Sequence, residues 1–220
     1  MHAVPQERQG RQGDLTAAGR PPLRRGALSH DPFAELGRWL AEAAAAGEPE
    51  PAAMTLATLG GDGRPSARVV LLRRLDARGL VFHTNRRSRK AADLAASPHA
   101  ALVLHWKATG RQVRVEGPVQ LLPDDESDAY FADRPMDSRL AAWASPQSQP
   151  IAGREELDRL LEAARRRFQD GDVPRPPNWG GFLVVPETIE FWQHGPHRLH
   201  DRLRYTRRAA GDWAIDRLAP

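Results

Sequence analysis

The feature that most constrains the fold is a series of short apolar segments with a period of two, separated by glycine-rich turns. Three of these segments cover residues 54–59, 68–73 and 80–84. The stretches between them, Gly60-Gly61-Asp62-Gly63 and residues 76–79, are typical of tight turns. Strands joined by such short turns pair with reversed direction, so the pattern predicts an antiparallel meander.

The rest of the chain adds further short strands and a few helices. Predicted strands cover residues 100–106, 112–122, 182–185, 188–193, 199–206 and 213–218, and predicted helices cover residues 31–44, 88–97, 124–133, 138–144 and 155–169. Many short strands with few helices favour a closed or nearly closed barrel. The predicted fold class is therefore mainly β with peripheral helices.

The first 30 residues differ in composition from the rest. Residues 1–30 are rich in Gly, Pro, Arg and Gln and show no periodicity. Such a stretch cannot bury much apolar surface, which predicts a mobile N-terminal arm. Residues 31–220 are predicted to form a single domain.

Composition excludes several kinds of site. The chain has no cysteine, which rules out disulfides, thiolate zinc sites and a cysteine nucleophile. It has no apolar run of the roughly 18–20 residues that a membrane span needs, and residues 1–25 lack the apolar stretch of a signal peptide. We therefore expect a cytoplasmic protein without a membrane partner.

The charge favours a ligand that carries phosphate. The net charge is +4, and only Lys90 and Lys107 are lysines among the 32 basic residues. Codon preference explains the excess of arginine, but arginine still binds phosphate through forked, bidentate hydrogen bonds. The arginines are dispersed among 28 acidic residues, which argues against nucleic acid as a partner.

Two groups of residues suggest anion sites. Arg89 and Lys90 stand at a predicted helix start, where free backbone N–H groups favour an anion; a solvated basic turn is the alternative. Tyr130, Arg134 and Ser138 are spaced by four residues and would share one helix face, although Pro135 interrupts the helix. All three can donate to phosphate, but an ordinary helix surface would carry the same pattern.

The segment 194–200 contains three histidines, but we reject a metal site there. Gly195-Pro196 breaks any helix, and a step of three residues on a strand places neighbouring side chains on opposite faces. The remaining interpretation is a basic pocket in which Arg198, His200 and Arg202 share a strand face. An exposed polar strand is the alternative.

Ten stretches, taken together, resemble the pyridoxamine 5′-phosphate oxidase family in order and spacing. They are residues 68–73 (RVVLLR), 81–85 (VFHTN), 88–90 (SRK), 111–113 (RQV), 142–143 (AW), 147–148 (QS), 178–182 (NWGGF), 189–193 (IEFWQ), 197–202 (HRLHDR) and 213–220 (WAIDRLAP). The resemblance covers roughly residues 31–220. It implies an FMN-binding split β-barrel that works as a homodimer, with FMN at the interface.

The resemblance also implies roles for individual residues. FMN would be bound by Arg68, Val69, Val70, Leu71, Leu72, Arg73, His83, Thr84, Arg89, Lys90, Gln112, Gln147, Ser148, Trp192 and Arg202. The substrate phosphate would be held by Arg73, Tyr130, Arg134 and Ser138. Arg198 and His200 would be the catalytic pair, next to the reacting carbon of the substrate.

The reaction implied is oxidation of pyridoxamine or pyridoxine 5′-phosphate to pyridoxal 5′-phosphate, with O2 as acceptor and H2O2 as product. Arg73 and His83 depart from the family, which usually has lysine and tyrosine there, and the N-terminal arm lacks the family's Arg and Tyr pattern. The alternatives are a phenazine-type flavin oxidase of a secondary metabolic pathway and a non-catalytic flavin-binding protein.

Overall fold

The computed structural model describes residues 21–220 and contains ten strands and five α-helices in that range. The helices are α1 Pro32–Ala45, α2 Arg89–Ala96, α3 Asp124–Ala132, α4 Met136–Ala144 and α5 Arg154–Arg167. The strands are β1 Ala53–Leu59, β2 Pro65–Leu71, β3 Arg74–Asp76, β4 Gly79–Asn85, β5 His99–Trp106, β6 Arg111–Leu121, β7 Trp179–Val184, β8 Thr188–Gln193, β9 Asp201–Arg207 and β10 Trp213–Arg217. The prediction of a mainly β fold with peripheral helices is confirmed.

The chain divides into two compact units, and two of the four boundaries between them fall inside β5 and β6. Of the described residues, unit 1 contains residues 21–51, 104–114 and 188–220, and unit 2 contains residues 52–103 and 115–187. Within residues 21–220, no helix is long and apolar enough to cross a bilayer.

Unit 2 is built on an antiparallel sheet whose two edge strands follow each other in the chain. The strand order is β2-β1-β5-β6-β7-β4-β3. Only Leu72 and Arg73 separate the edge strands β2 and β3. The Leu72 N–H donates to Ala52 O at 2.9 Å, and the Arg73 N–H donates to Val81 O at 2.8 Å. These two residues therefore carry the chain from one edge of a curled, open sheet to the other.

The core of unit 2 follows from strand alternation. Leu56, Leu80, Phe82 and Leu102 are all fully buried, and the Phe82 ring stacks on Phe182 with centroids 5.4 Å apart. Side chains alternate across a strand, so their neighbours point to the other face. That other face of β4 presents His83 and Asn85 at the end of the strand.

Unit 1 pairs β8, β9 and β10 and packs them with α1. Asp31 caps α1 by accepting a hydrogen bond from the Phe33 N–H at 2.9 Å. The fully buried Trp39 meets Phe191 edge to face, with centroids 4.9 Å apart. This contact fixes α1 on the strands that lead to the segment 194–202.

Residues 21–30 pack against other parts of unit 1. Leu23 and Leu28 are buried, the Leu23 N–H donates to Asp201 Oδ2 at 2.9 Å, and the Tyr205 hydroxyl donates to Ser29 O at 2.6 Å. Residues 1–20, the larger part of the predicted mobile arm, lie outside the described residues. The mobility of the arm and the single domain from residue 31 stay predictions.

Two local predictions are wrong. The strand predicted for residues 199–206 begins only at Asp201, because Pro196–Arg198 form a 3₁₀ turn with His197 at φ 54° and Arg198 at φ 63°. Arg198 and His200 therefore do not share a strand face with Arg202. The short strand β3 was not predicted, since three residues are too few to show a period.

Candidate functional site

Unit 2 contains a cavity of about 310 Å³ that brings together the four residues predicted to hold the substrate phosphate and three further predicted cofactor residues. Seven predicted residues line it: Arg73, His83, Thr84, Tyr130, Arg134, Ser138 and Gln147. Tyr130 lies in the last turn of α3 and Ser138 in the first turn of α4, with Arg134 in the link between the two helices. Pro135 interrupts the helix, as expected, yet the three side chains still meet at one cavity.

Flat rings form one wall of the cavity. His83 stacks on Tyr130 with centroids 4.0 Å apart and on Trp179 with centroids 5.1 Å apart. The Arg134 guanidinium lies 4.7 Å from the Trp179 ring centroid, which is a favourable cation–π distance. No local sequence pattern distinguishes Trp179 from the other tryptophans; its pairing with Asn85 across β4 and β7 brings it to the cavity.

Gly181 makes this ring arrangement possible. It lies opposite His83 on β7, and a Cβ atom at this glycine would be 2.9 Å from His83 Nε2. The imidazole therefore occupies the space that a side chain at Gly181 would need.

The cavity is electropositive. None of its lining residues is acidic, while Arg73 and Arg134 both contribute to it. Burial lowers the pKa of Arg134, and the neighbouring charge of Arg73 lowers it further, although Tyr130 opposes the shift. Two arginines held together without a carboxylate favour the binding of an anion.

His83 adds no charge to this cavity near neutral pH. Burial, followed by the charges of Arg74, Arg134 and Arg73, lowers the pKa of His83 to about 4. Both ring nitrogens are buried and make no hydrogen bond within residues 21–220. The neutral ring therefore contributes stacking rather than charge.

A second cationic group adjoins the cavity at the start of α2. Lys90 Nζ donates to Thr84 Oγ1 at 3.2 Å and to Gln147 Oε1 at 3.2 Å. The Thr84 hydroxyl donates to the same Gln147 oxygen at 2.9 Å. Burial and the nearby charge of Arg68 lower the pKa of Lys90. Thr84 and Gln147 thus connect the Lys90 group with the cavity.

Arg68 is held by a polar network that sequence reasoning missed. It donates to Thr58 Oγ1 at 2.7 Å and to Ser66 Oγ at 2.8 Å, and it lies 3.5 Å from Asp93 Oδ2. Thr58 donates to the same Asp93 oxygen at 2.7 Å. Burial lowers the pKa of Arg68; the charge of Asp93 opposes this shift, and that of Arg89 adds to it.

The donors of this group suit the phosphate of a nucleotide cofactor. The charge of Arg89 acts on Arg68 and the charge of Arg68 acts on Lys90, and Asp93 is the carboxylate that pairs with Arg68. Three cations therefore exceed one anion, and a phosphate dianion would balance that excess. Thr58 and Asp93 orient the guanidinium from the buried side, so its position does not depend on the ligand.

Unit 1 holds the remaining predicted site residues. Arg198 lies in the 3₁₀ turn, and His200 follows it immediately before β9. The Gly195 N–H donates to His200 Nδ1 at 3.2 Å, and the His200 ring lies 4.7 Å from the Trp192 ring centroid. Within residues 21–220, Arg198 makes no ion pair, so its guanidinium is available to a ligand.

Arg202 is bound within its own chain. Its Nε and Nη2 atoms donate to the two carboxylate oxygens of Glu190 at 2.7 and 3.1 Å, and Nη1 donates to Ala219 O at 3.0 Å. Glu190 is 7% exposed, so this bidentate pair is well protected. Because these contacts occupy N–H groups of Arg202, a ligand would meet the flat face of the guanidinium more readily than its N–H groups.

The remaining predicted cofactor residues differ in exposure. Val69 is 65% exposed and Leu72 is 7% exposed, and Ser148 adopts a positive φ of 69° in an exposed loop. Gln112, in β6, is part of unit 1. Trp192, Arg198, His200 and Arg202 also belong to unit 1, and the other predicted site residues belong to unit 2.

Comparisons with known proteins identify relatives along most of the chain. Residues 40–168 match the family model for pyridoxamine 5′-phosphate oxidase. Residues 179–220 match the model for the pyridoxine 5′-phosphate oxidase C-terminal dimerisation region. A pyridoxine/pyridoxamine 5′-phosphate oxidase of Burkholderia multivorans is 57% identical over 192 residues, covering 86% of this chain and 89% of the relative. One from Cupriavidus necator is 54% identical, covering 88% and 91%.

Solved structures show the same fold. PhzG from Burkholderia lata, in complex with tetrahydrophenazine-1-carboxylic acid, is 35% identical and superposes with a TM-score of 0.83, covering 89% of this chain and 95% of that one. A pyridoxamine 5′-phosphate oxidase-related, FMN-binding protein from Nostoc punctiforme is 20% identical with a TM-score of 0.68, covering 83% and 96%. The predicted split-barrel fold class is confirmed.

Proposed function

The chain belongs to the pyridoxamine 5′-phosphate oxidase family, and from that premise we propose that it oxidises pyridoxamine or pyridoxine 5′-phosphate to pyridoxal 5′-phosphate. The observation that carries the proposal is the cavity of unit 2. It brings Arg73, Tyr130, Arg134 and Ser138 together around a space without acidic residues. These groups supply two permanent charges and two hydroxyl donors, which suit a phosphate monoester.

The proposed cofactor is FMN. Arg68, Arg89 and Lys90 would hold its phosphate, and His83, Thr84 and Gln147 would contact it next to the cavity. Val69, Val70, Leu71, Leu72, Arg73, Gln112, Ser148, Trp192 and Arg202 complete the proposed set. Bound FMN would supply the hydride acceptor and the reaction with O2, which yields H2O2.

The residues of the chain would bind and orient the substrate. Arg73 and Arg134 would neutralise its phosphate, and Tyr130 and Ser138 would fix the direction from which the ring enters. Arg198 and His200 are the proposed catalytic pair, with Arg198 contributing a positive charge near the reacting carbon. Orientation and charge of this kind account for a large part of enzymatic rate enhancement.

The proposed assembly is a cytoplasmic homodimer with FMN at the subunit interface. The match of residues 179–220 to a dimerisation region supports it. That region includes Trp192, Arg198, His200 and Arg202. We infer that dimer formation completes the site, and that substrate and cofactor contacts come from both copies.

A second candidate is oxidation of a phenazine precursor. The likeness to PhzG at a TM-score of 0.83 favours it. The cavity argues against it, because a carboxylated tricyclic compound lacks the dianionic phosphate that Arg73 and Arg134 would balance. The relatives at 54–57% identity are also named as vitamin phosphate oxidases.

The test is peroxide production by the FMN-loaded protein. The substrates are pyridoxine 5′-phosphate, pyridoxamine 5′-phosphate, their unphosphorylated forms and a reduced phenazine carboxylate. We expect the phosphorylated vitamins to be turned over much faster than their unphosphorylated forms, and the phenazine carboxylate not at all. A protein that does not retain FMN after reconstitution would contradict the cofactor, and equal turnover with and without phosphate would contradict the role of the cavity.

A further inference from the structure

The segment 194–200 fixes which nitrogen of His200 carries a proton. The Gly195 N–H donates to His200 Nδ1 at 3.2 Å. A ring nitrogen that accepts a hydrogen bond bears no proton, so the proton of the neutral imidazole must be on Nε2. Within residues 21–220, Nε2 makes no hydrogen bond, and it is free to meet a ligand.

The backbone that makes this contact is tightly constrained. His197 and Arg198 adopt positive φ values of 54° and 63°, a conformation that costs energy in non-glycine residues. Gly195 is required on the other side of the turn, because a Cβ atom there would lie 2.2 Å from Leu199 O. The close approach of Gly195 to residues 199–200 is what brings its N–H to the imidazole.

The surroundings keep the imidazole neutral. Burial, followed by His194 and Arg198, lowers the pKa of His200. The nearby carboxylate of Asp201 does not reverse this, since Asp201 forms an ion pair with Arg217 at 2.6 Å. The His194 ring centroid lies 5.2 Å from that of His200. A positive charge on one of these two rings would therefore disfavour a positive charge on the other.

We propose that Gly195 is a positioning residue that holds His200 as the Nε2–H tautomer, so that His200 donates a hydrogen bond to an acceptor oxygen of the substrate and does not take a proton from it. This inference rests on the proposed function for the presence of substrate at His200. It identifies the recognised group as an anionic or otherwise electron-rich oxygen. It also requires that any proton lost by the substrate leaves by another route.

The tautomer is measured without substrate. FMN-loaded protein labelled with 15N in histidine is examined near neutral pH by two-bond 1H–15N correlation, which distinguishes a protonated ring nitrogen from an unprotonated one. The His200 signals are those lost in His200→Gln. We expect the proton on Nε2. A proton on Nδ1, or a doubly protonated ring, would overturn the proposal even if the vitamin phosphates are substrates.

Two substitutions at His200 then test whether its side chain acts as a hydrogen-bond donor or as a base. Glutamine places an amide near the position of Nε2 and can donate there, whereas asparagine reaches only the position of Nδ1. We expect turnover of pyridoxine 5′-phosphate by His200→Gln within about tenfold of the parent and a loss of about 100-fold in His200→Asn. Equal losses in both variants would contradict the donor role, since a base is missing from both.

Gly195→Ala tests the positioning role. The added methyl group must displace Leu199, so we expect the Nε2–H signal to change and turnover to fall at least tenfold while FMN content is kept. Gly26→Ala is the matched control, because a Cβ atom at Gly26 meets nothing within 4 Å. Unchanged signal and turnover in Gly195→Ala would overturn the role of this glycine. Absent turnover of every vitamin phosphate by the parent would instead reject the proposed function.

Discussion

The cavity of unit 2 and the segment 194–202 of unit 1 prepare polar groups for a ligand in different ways. In the cavity, Arg73 and Arg134 line one space without a carboxylate. Arg73 lies in the link between β2 and β3, and Arg134 in the link between α3 and α4. In the segment, Arg202 is neutralised by Glu190, and a constrained turn directs Arg198 and His200. The first region contains two positive charges that no lining carboxylate balances, and the second contains a turn with a constrained backbone conformation. The first therefore suits tight binding of an anion, and the second suits orientation at a reacting atom.

We expect the largest effect on turnover, in the variant Arg198→Ala. Its guanidinium lies in an exposed turn without an ion pair among the described residues, so we expect its loss to lower kcat by about 100- to 1000-fold. FMN content should stay the same, because Arg198 has no part in the Arg68 and Lys90 group.

The measurement is peroxide production together with flavin absorbance. Arg208→Ala is the control, since Arg208 is exposed and pairs only locally with Asp212. Loss of flavin in step with activity would place Arg198 in the cofactor site and remove the distinction between the two regions.

We expect an intermediate effect on substrate binding, in the variant Arg134→Met. Removing one of two charges that balance a phosphate should lower kcat/KM for pyridoxine 5′-phosphate by about 10- to 100-fold. Unphosphorylated pyridoxine should be affected little. Arg154→Met, at an exposed position of α5, serves as the control. An equal change in kcat/KM for both substrates would show that the cavity does not recognise the phosphate.

The smallest effect is on stability and concerns His83. Its folded pKa of about 4 lies below its ordinary value of 6.5, so the unfolded chain binds a proton first as the pH falls. His83 therefore lowers the stability of the fold progressively as the pH falls from about 6.5 to about 4.

The comparison variant is His83→Phe, which keeps a flat ring but cannot titrate. Its Tm should fall less than that of the parent over this pH range, by about 2–4 °C for each kcal/mol of destabilisation avoided. His99→Asn, at an exposed histidine, should keep the slope of the parent. Parallel Tm curves for His83→Phe and the parent would contradict the assignment of His83 as a buried neutral ring.

The two regions also differ in how far the sequence predicts them. The strand at residues 188–193 matches β8 at both ends, because its alternating apolar residues are bounded by Pro186 and Gly195. The grouping of Tyr130, Arg134 and Ser138 could be expected from their spacing, since two short helices joined at Pro135 keep nearly the same face. In contrast, Thr58 and Trp179 reach their sites through strand pairing, and Asp93 reaches its site through the packing of α2 on β1. These contacts span long sequence separations, which no local pattern reveals.

The prediction for the segment 194–200 was wrong for a different reason. Its alternating polar residues resemble an exposed strand, but Gly195-Pro196 and two consecutive positive φ values turn the chain before β9 begins. Positive φ at His197 and Arg198 has no signature in the residue types themselves. The assignment of Arg198 and His200 to one strand face was therefore wrong, although the same two residues remain the proposed catalytic pair.

The link between β2 and β3 limits where this chain can change its length over evolutionary time. Leu72 is hydrogen-bonded to one edge of the sheet and Arg73 to the other, so one inserted or deleted residue would move Arg73 away from the cavity. The turn at residues 60–63 is exposed at residues 61–63 and joins the neighbouring strands β1 and β2. It can therefore accept length changes at little cost. We expect natural length variation among relatives to avoid residues 71–74 and to accumulate in turns of that kind.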